Sequence, residues 1–384
     1  VAAGKAATAM AGAARRALGG RIVEGLVVAP EAPCVAPPLM GFAAGHPTPT
    51  PESEAAGRRA LALADATATH PDEQLLVLLS GGASALMAVP ADGLTLDDKR
   101  ETTARLLRAG ADIGALNTVR KHLSAIKGGW LAARAGVCRT LAISDVVGDD
   151  SSVIASGPTV ADTSTYEQAL AVLVTYGGVS QYSPAVVAHL RAGAAGRIAE
   201  TPKPGDARLD RATISLAGGR RDAMTGARLE AERRGYHVSV VDDPVVGEAR
   251  RTAVAHVRAM LARARSLPRP LCIVSSGETT VRVVGGGRGG RNQELALAAA
   301  GVLAQAGAAA VFGSVGTDGV DGPTDAAGGV ADSTTVARAH AAGVDLRRCL
   351  DDNNAYAALD ALGDLIRTGP TGTNVGDLQV LLLS

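Results

Sequence analysis

The residues best suited to chemistry in this chain are cationic or small, and they sit in glycine-rich turns. Lys5 follows Gly4 at what reads as the end of a strand entering a helix, a place from which an ammonium can reach a phosphate. Gly285 to Gly290 holds five glycines and Arg288, with Arg291, Asn292, Gln293 and Glu294 directly behind, where a helix is predicted to begin. Glycine lets the backbone approach a ligand, and the first turn of a helix offers unpaired N–H groups carrying partial positive charge. With two arginines added, that stretch is expected to cradle an anion, phosphate above all. Ser80-Gly81-Gly82-Ala83-Ser84 ends an apolar strand, and its N–H groups and hydroxyls could take a phosphate or a carboxylate. Arg120, Ser124 and Lys127 recur at helical spacing, so one basic face toward an acid substrate is expected.

Acidic residues supply the second chemistry. Asp145, Asp149 and Asp150 follow the strand Arg139 to Ile143, and Asp318, Asp321 and Asp325 alternate with glycines after another strand. Mg²⁺ prefers one or two carboxylates together with water and substrate phosphates, so Asp145, Asp149 and Asp318 are candidate metal ligands. The spacing is not that of an EF-hand, and no Walker A loop occurs. Each pattern has a plainer counterpart: aspartates cap helices, glycines close turns, and most lysines are solvated. Gly285, Gly287 and Gly290 fit G-x-G-x-x-G, but no acid lies about 20 residues on to bind a ribose, and two arginines occupy the loop.

The elements that must position these residues alternate between short apolar strands and helices, which predicts α/β architecture. At 384 residues the chain exceeds one ordinary core, and Thr201-Pro202-Lys203-Pro204-Gly205 reads as a linker. Domains of 1–205 and 206–384 are expected, with residues 177–212 irregular, a β-α-β unit from Ala212 opening the second and a helix starting at Val246-Gly247-Glu248. Ile273 to Ala300 reads as strand, polar turn, second strand, glycine loop and helix. Aromatic residues are 2% of the chain, which argues against stacking-based nucleic-acid binding. Lysines and arginines equal the acids at 38 each, so no global basic field serves DNA or a membrane surface. The four separated cysteines form no CxxC pair and suit a cytoplasmic enzyme. The chain opens on Val1 with what reads as the tail of a strand, and an N-terminal segment is expected to be missing.

The separated motifs also occur in a recognisable order: GKAA at Gly4, GHPTP at Gly45, LLSGGASAL at Leu78, NTVRKHLSAIKGG at Asn117, ISDVVGDD at Ile143, ASGPT at Ala155, GETTV at Gly277, GGRGGRNQELAL at Gly286, GTDGVDGPTDAAG at Gly316 and TGPTGTNVGDL at Thr368. The set resembles the glycerate 2-kinase family, whose C-terminal part is the MOFRL domain, here about 270–380. The resemblance implies a Rossmann-like parallel-sheet domain, a smaller α/β domain with a mixed sheet, and an active site in the cleft between. It implies Mg²⁺-assisted transfer of phosphate from ATP to D-glycerate, giving 2-phosphoglycerate, with Lys5 and Arg291 as the functional pair. Ser80, Gly81, Gly82, Ser84, Arg120, Lys127, Glu278, Arg288 and Asn292 are then expected around substrate and phosphates. A homodimer is a candidate assembly; neither nucleic acid nor membrane is an expected partner. Two departures from the family pattern are Ser276 ahead of GETTV, where glycine is usual, and Gly218-Gly219 where asparagine is expected. The competing readings are an NAD(P)H-dependent hydroxypyruvate or tartronate-semialdehyde reductase and a non-catalytic binder of phosphorylated acids.

Overall fold

A computed structural model describes residues 1–384 and divides them into two compact units, Val1–Ala217 and Gly218–Ser384. The first is built on strands β1 (Ala2–Ala3), β2 (Gly25–Ala29), β3 (Leu39–Ala43), β4 (Leu75–Leu79), β5 (Cys138–Ile143) and β6 (Ala212–Gly218). They lie in the order β3-β2-β1-β4-β5-β6, and every neighbouring pair from β3 to β5 is parallel. Parallel strands need covered faces, and β2 and β4 are correspondingly near-continuous runs of Leu and Val. With so few aromatics, the core packs alanine-rich helices closely: Ala56, Ala60 and Ala64 of the Pro51–Thr69 helix stand among Val28, Val77 and Leu79.

The second unit carries β7 (His237–Val240), β8 (Val245–Glu248), β9 (Leu271–Thr280), β10 (Ala310–Gly316), β11 (Gly328–Asp332), β12 (Leu365–Ile366) and β13 (Asp377–Leu383). Its sheet is mixed, ordered β12-β11-β10-β13-β9-β7, with β8 also pairing β9. β13 lies antiparallel between β9 and β10, whereas β7 and β8 run parallel to β9. The helices Ala249–Ala264 and Arg291–Leu303 cover one face around Phe312 and Ile273.

Four local expectations change. β6 hydrogen-bonds into the first sheet, so the compact units divide at Ala217 and not in the Thr201–Gly205 linker. The stretch expected to be irregular after residue 177 contains a Pro184–Ala194 helix that packs Val186 and Leu190 against Tyr166 and Leu173. Its Pro at the helix start is a legitimate first-turn signal that a run of loop-like neighbours concealed. β9 is one ten-residue strand, and Val281 to Gly290 forms no second strand. Val245–Glu248 is a strand where a helix start was expected.

Candidate active site

On the first unit, the candidate residues gather at the C-terminal ends of β1, β4 and β5. Gly4 adopts φ 124°, and a Cβ there would stand 2.1 Å from Ser80 Oγ, so only glycine fits between the two loops. The Lys5 N–H donates to Gly81 O at 2.9 Å and the Ala6 N–H to Ser80 Oγ at 3.0 Å. Ser80 is buried and also donates to Ala3 O. Its hydroxyl therefore joins the two loops. Gly82 adopts φ 89°, and a Cβ on it would come within 3.0 Å of the His46 ring, which places His46 over this loop. The registers Leu78↔Leu141 and Leu79↔Ala142 bring the end of β5, and so Ser144 and Asp145, beside it.

Behind the loop lies a buried polar group. Lys127 Nζ donates to Ser84 O at 2.7 Å, Ser84 Oγ at 2.9 Å and Ala155 O at 3.4 Å. Ser84 Oγ is 2.8 Å from Ser156 Oγ, which donates to Asn117 Oδ1 at 3.0 Å. Burial pushes the Lys127 ammonium well below its ordinary range, reinforced by repulsion from Lys99 and Arg120. Burial and Arg120 likewise take Lys99 down to about 7, against a counteracting pull from Glu54. Arg120, Ser124 and Lys127 do not share a helix face, because the helix is Ile113–His122 and the chain turns before Ser124. The turn nonetheless leaves Arg120 and Lys127 close enough to repel.

On the second unit, Glu278, Arg291, Asp318 and Asp377 gather at one end of the mixed sheet, because Asp377 pairs in register with Gly277 and Gly316. Arg291 clasps the buried Asp377 with two bonds, Nε to Oδ2 at 2.7 Å and Nη2 to Oδ1 at 2.9 Å. Its Nη1 lies 3.4 Å from Glu278 Oε1. Burial works against the guanidinium, but the Asp377 carboxylate holds it charged. Asp318 Oδ1 accepts from the Val320 N–H, and its carbonyl accepts from Thr371 N. Thr317 Oγ1 bonds Gly376 O at 2.7 Å, so the two glycine-rich loops brace one another.

The expected anion cradle at Gly285–Gly290 is not formed. The Val284 and Gly285 N–H groups donate to Asn353 Oδ1, Gly286 N to Asp352 Oδ1, Gly287 N to Asp352 O and Arg288 N to Asn354 Oδ1. A Cβ on Gly285 or Gly287 would come within 2.4 Å of Asp352 or Asn354, far inside van der Waals contact. The glycines thus serve close packing of backbone on backbone. The helix N-terminus is capped by Asp321, whose carboxylate accepts from Asn292 N at 3.1 Å and Gln293 N at 2.8 Å. Burial raises the Asp321 carboxyl to about 6 despite those two bonds. Asn292 is buried, accepting from Ser314 and donating to Asp321, and Arg288 lies over the Tyr356 ring with Nε on Pro323 O. The Asn292 amide is thus used within the protein, while Arg288 stays exposed. Asp321 and Asn353, which organise the region, were not among the expected site residues; the alternation of Asp with Gly was the signal for the first.

No group of three or more His, Cys, Asp or Glu side chains is placed to hold a metal. Asp149 keeps one buried carboxylate oxygen, Oδ1, without a hydrogen-bond partner.

Models of two families match the chain: a domain of unknown function, DUF4147, over residues 1–191, and the MOFRL family over residues 271–377. A D-glycerate 2-kinase of Thermotoga maritima is 40% identical over 390 residues, covering 100% of this chain and 90% of the relative. The chain belongs to the glycerate kinase family with a C-terminal MOFRL domain. Within that family, a crystal structure of the Thermotoga maritima glycerate kinase superposes with a TM-score of 0.86 at 39% identity, over 100% of this chain and 90% of that one. A relative from Agrobacterium vitis, named a putative hydroxypyruvate reductase, is 39% identical over 100% of this chain and 86% of its own length. No helix is long and apolar enough to cross a membrane.

Proposed function

We propose that this protein is a glycerate 2-kinase, transferring the γ-phosphoryl group of ATP to the 2-hydroxyl of D-glycerate. The observation that carries the reading is full-length similarity to a named D-glycerate 2-kinase, in a chain whose Gly4-Lys5 loop is tightly built against Ser80 and Gly81. Phosphoryl transfer asks a protein for positioning and charge neutralisation more than for covalent chemistry. Lys5 supplies a cation beside the end of the parallel sheet, where ligands of open α/β sheets bind. Arg291 supplies a guanidinium whose orientation is fixed by Asp377, so little freedom is lost when it meets an oxyanion. The oxygen of the acid's C2 hydroxyl attacks the γ-phosphorus, the bond to the ADP oxygen breaks, and the hydroxyl proton passes to a carboxylate among Asp145, Asp149 and Asp318 or to water.

Mg²⁺ bound with the nucleotide would neutralise charge on its phosphates. Asp145 and Asp149 are the residues of the first unit that would hold it, and the unpartnered Asp149 oxygen fits a metal held chiefly by phosphates and water.

A hydroxypyruvate reductase is the second reading, favoured by the name of the Agrobacterium vitis relative. The glycine loop counts against it, since the N–H groups a pyrophosphate would need are bonded to residues 352–354. Acid-dependent ADP release separates the two. D-glycerate added to protein and Mg-ATP is expected to release ADP; release independent of the acid, or none, would count against the kinase.

A further inference from the structure

The fold treats its buried cations in two ways. Lys121 is nearly buried and donates to the fully buried Asp162 at 3.1 Å, an ordinary internal ion pair. One residue earlier on the same helix, Arg120 is half-buried, and burial pushes its guanidinium below the ordinary range. Lys127 is 3% exposed and meets only neutral oxygens, those of Ser84 and Ala155. Lys99 is 7% exposed and donates to Leu123 O at 2.8 Å. All three repel one another, and Glu54, which salt-bridges Arg58, draws on Lys99. Grouping like charges out of water without counter-charge is costly, and such an arrangement persists where a ligand completes it.

The group also has a definite place. Lys127 is tied to Ser84, in the loop whose Gly81 carbonyl takes the Lys5 N–H. Beside Lys127, Ser84, Ser156 and Asn117 offer hydroxyls and an amide. A guanidinium meets a carboxylate through two parallel hydrogen bonds, and small hydroxyls suit an acid that itself carries hydroxyls.

We infer that Arg120, backed by Lys127 and Lys99, is the subsite for the carboxylate of the hydroxy-acid substrate. The inference rests on the kinase reading for the identity of that acid. It makes Arg120 the residue that distinguishes D-glycerate from a neutral polyol such as glycerol, because an uncharged ligand would leave the half-buried guanidinium unpaired.

The test is a calorimetric titration of D-glycerate into the full chain and into Arg120→Gln and Arg120→Lys variants, with and without a non-hydrolysable ATP analogue, alongside steady-state kinetics. Removing a charge-assisted contact predicts roughly 10- to 100-fold weaker D-glycerate binding in Arg120→Gln, with partial recovery in Arg120→Lys. The KM for ATP is expected to stay unchanged in both. Equal D-glycerate affinity in wild type and Arg120→Gln, or no binding to wild type, would overturn the subsite. A loss confined to ATP would assign the cluster to phosphate and overturn it too. Because binding is read without turnover, a chain that binds D-glycerate through Arg120 yet does not phosphorylate it would sink the kinase reading alone.

Discussion

Asp321 shows how one residue can hold a site without touching a substrate. Its carboxyl is buried against the start of the Arg291–Leu303 helix and sits near 6, above the ordinary value of about 3.9. Between those two values the folded state binds a proton that the unfolded chain has released, so stability declines as pH rises from about 4 to about 6 and is flat above. An Asp321→Asn variant lacks that proton, and urea titrations at pH 4.5 and 7 should show wild type losing about 2 kcal/mol relative to it across the interval. A pH-independent difference would contradict the placement. Lys5 and Arg291 make the complementary prediction. Lys5→Ala and Arg291→Ala are each expected to lower kcat roughly 100- to 1000-fold with circular dichroism unchanged, as when one oriented donor is removed from a transition state. Near-normal turnover in either would remove it from the mechanism. The residue types were legible in the sequence, but their partners were not. Nothing local to Arg291 announces Asp377, 86 positions on, because the pair joins a helix start to a distant strand whose register sets Asp377 opposite Gly277.

The glycine-rich stretch is the instructive case among the elements. Composition and a following helix pointed to an anion cradle, and the helix is there. The loop's N–H groups, however, are used by Asp352, Asn353 and Asn354, a segment no short-range pattern connects to it. Asn353 stands at φ 54°, a conformation asparagine tolerates better than most residues, and also donates to Arg282 O and Glu294. Asn353→Ala should strip several buried bonds at once and destabilise the protein by about 3 kcal/mol in urea unfolding, while leaving the first unit's sheet unaffected. A change under about 0.5 kcal/mol would show that the loop is held otherwise. Strands were read accurately where an apolar run is buried, as in β4, and also at β5, whose burial alternates. The helix at Pro184–Ala194 was concealed by glycine- and serine-rich flanks, and β6 was assigned to the wrong sheet because a Pro-rich linker preceded it. The Ser276 departure has a visible counterpart: Arg220 Nη1 donates to its hydroxyl at 3.1 Å.

For the whole molecule, ten motifs in order carried more information than composition did. Zero net charge excluded a general polyanion binder, yet it concealed the local grouping of Lys99, Arg120 and Lys127, which only folding brings together. The α/β architecture follows from the strand and helix alternation and the split into one parallel and one mixed sheet from the family resemblance, whereas strand order within the mixed sheet depends on long-range pairing that periodicity cannot encode.

The central claim is that phosphate from ATP ends on the 2-oxygen of D-glycerate. Phosphorus-31 NMR of the full chain incubated with D-glycerate and Mg-ATP tests it directly, with NADH and hydroxypyruvate followed in a parallel cuvette. The account predicts a 2-phosphoglycerate resonance growing as ATP is consumed and no oxidation of NADH. A 3-phosphoglycerate resonance would refute the assigned oxygen, and NADH oxidation without any phosphoglycerate would contradict the account as a whole.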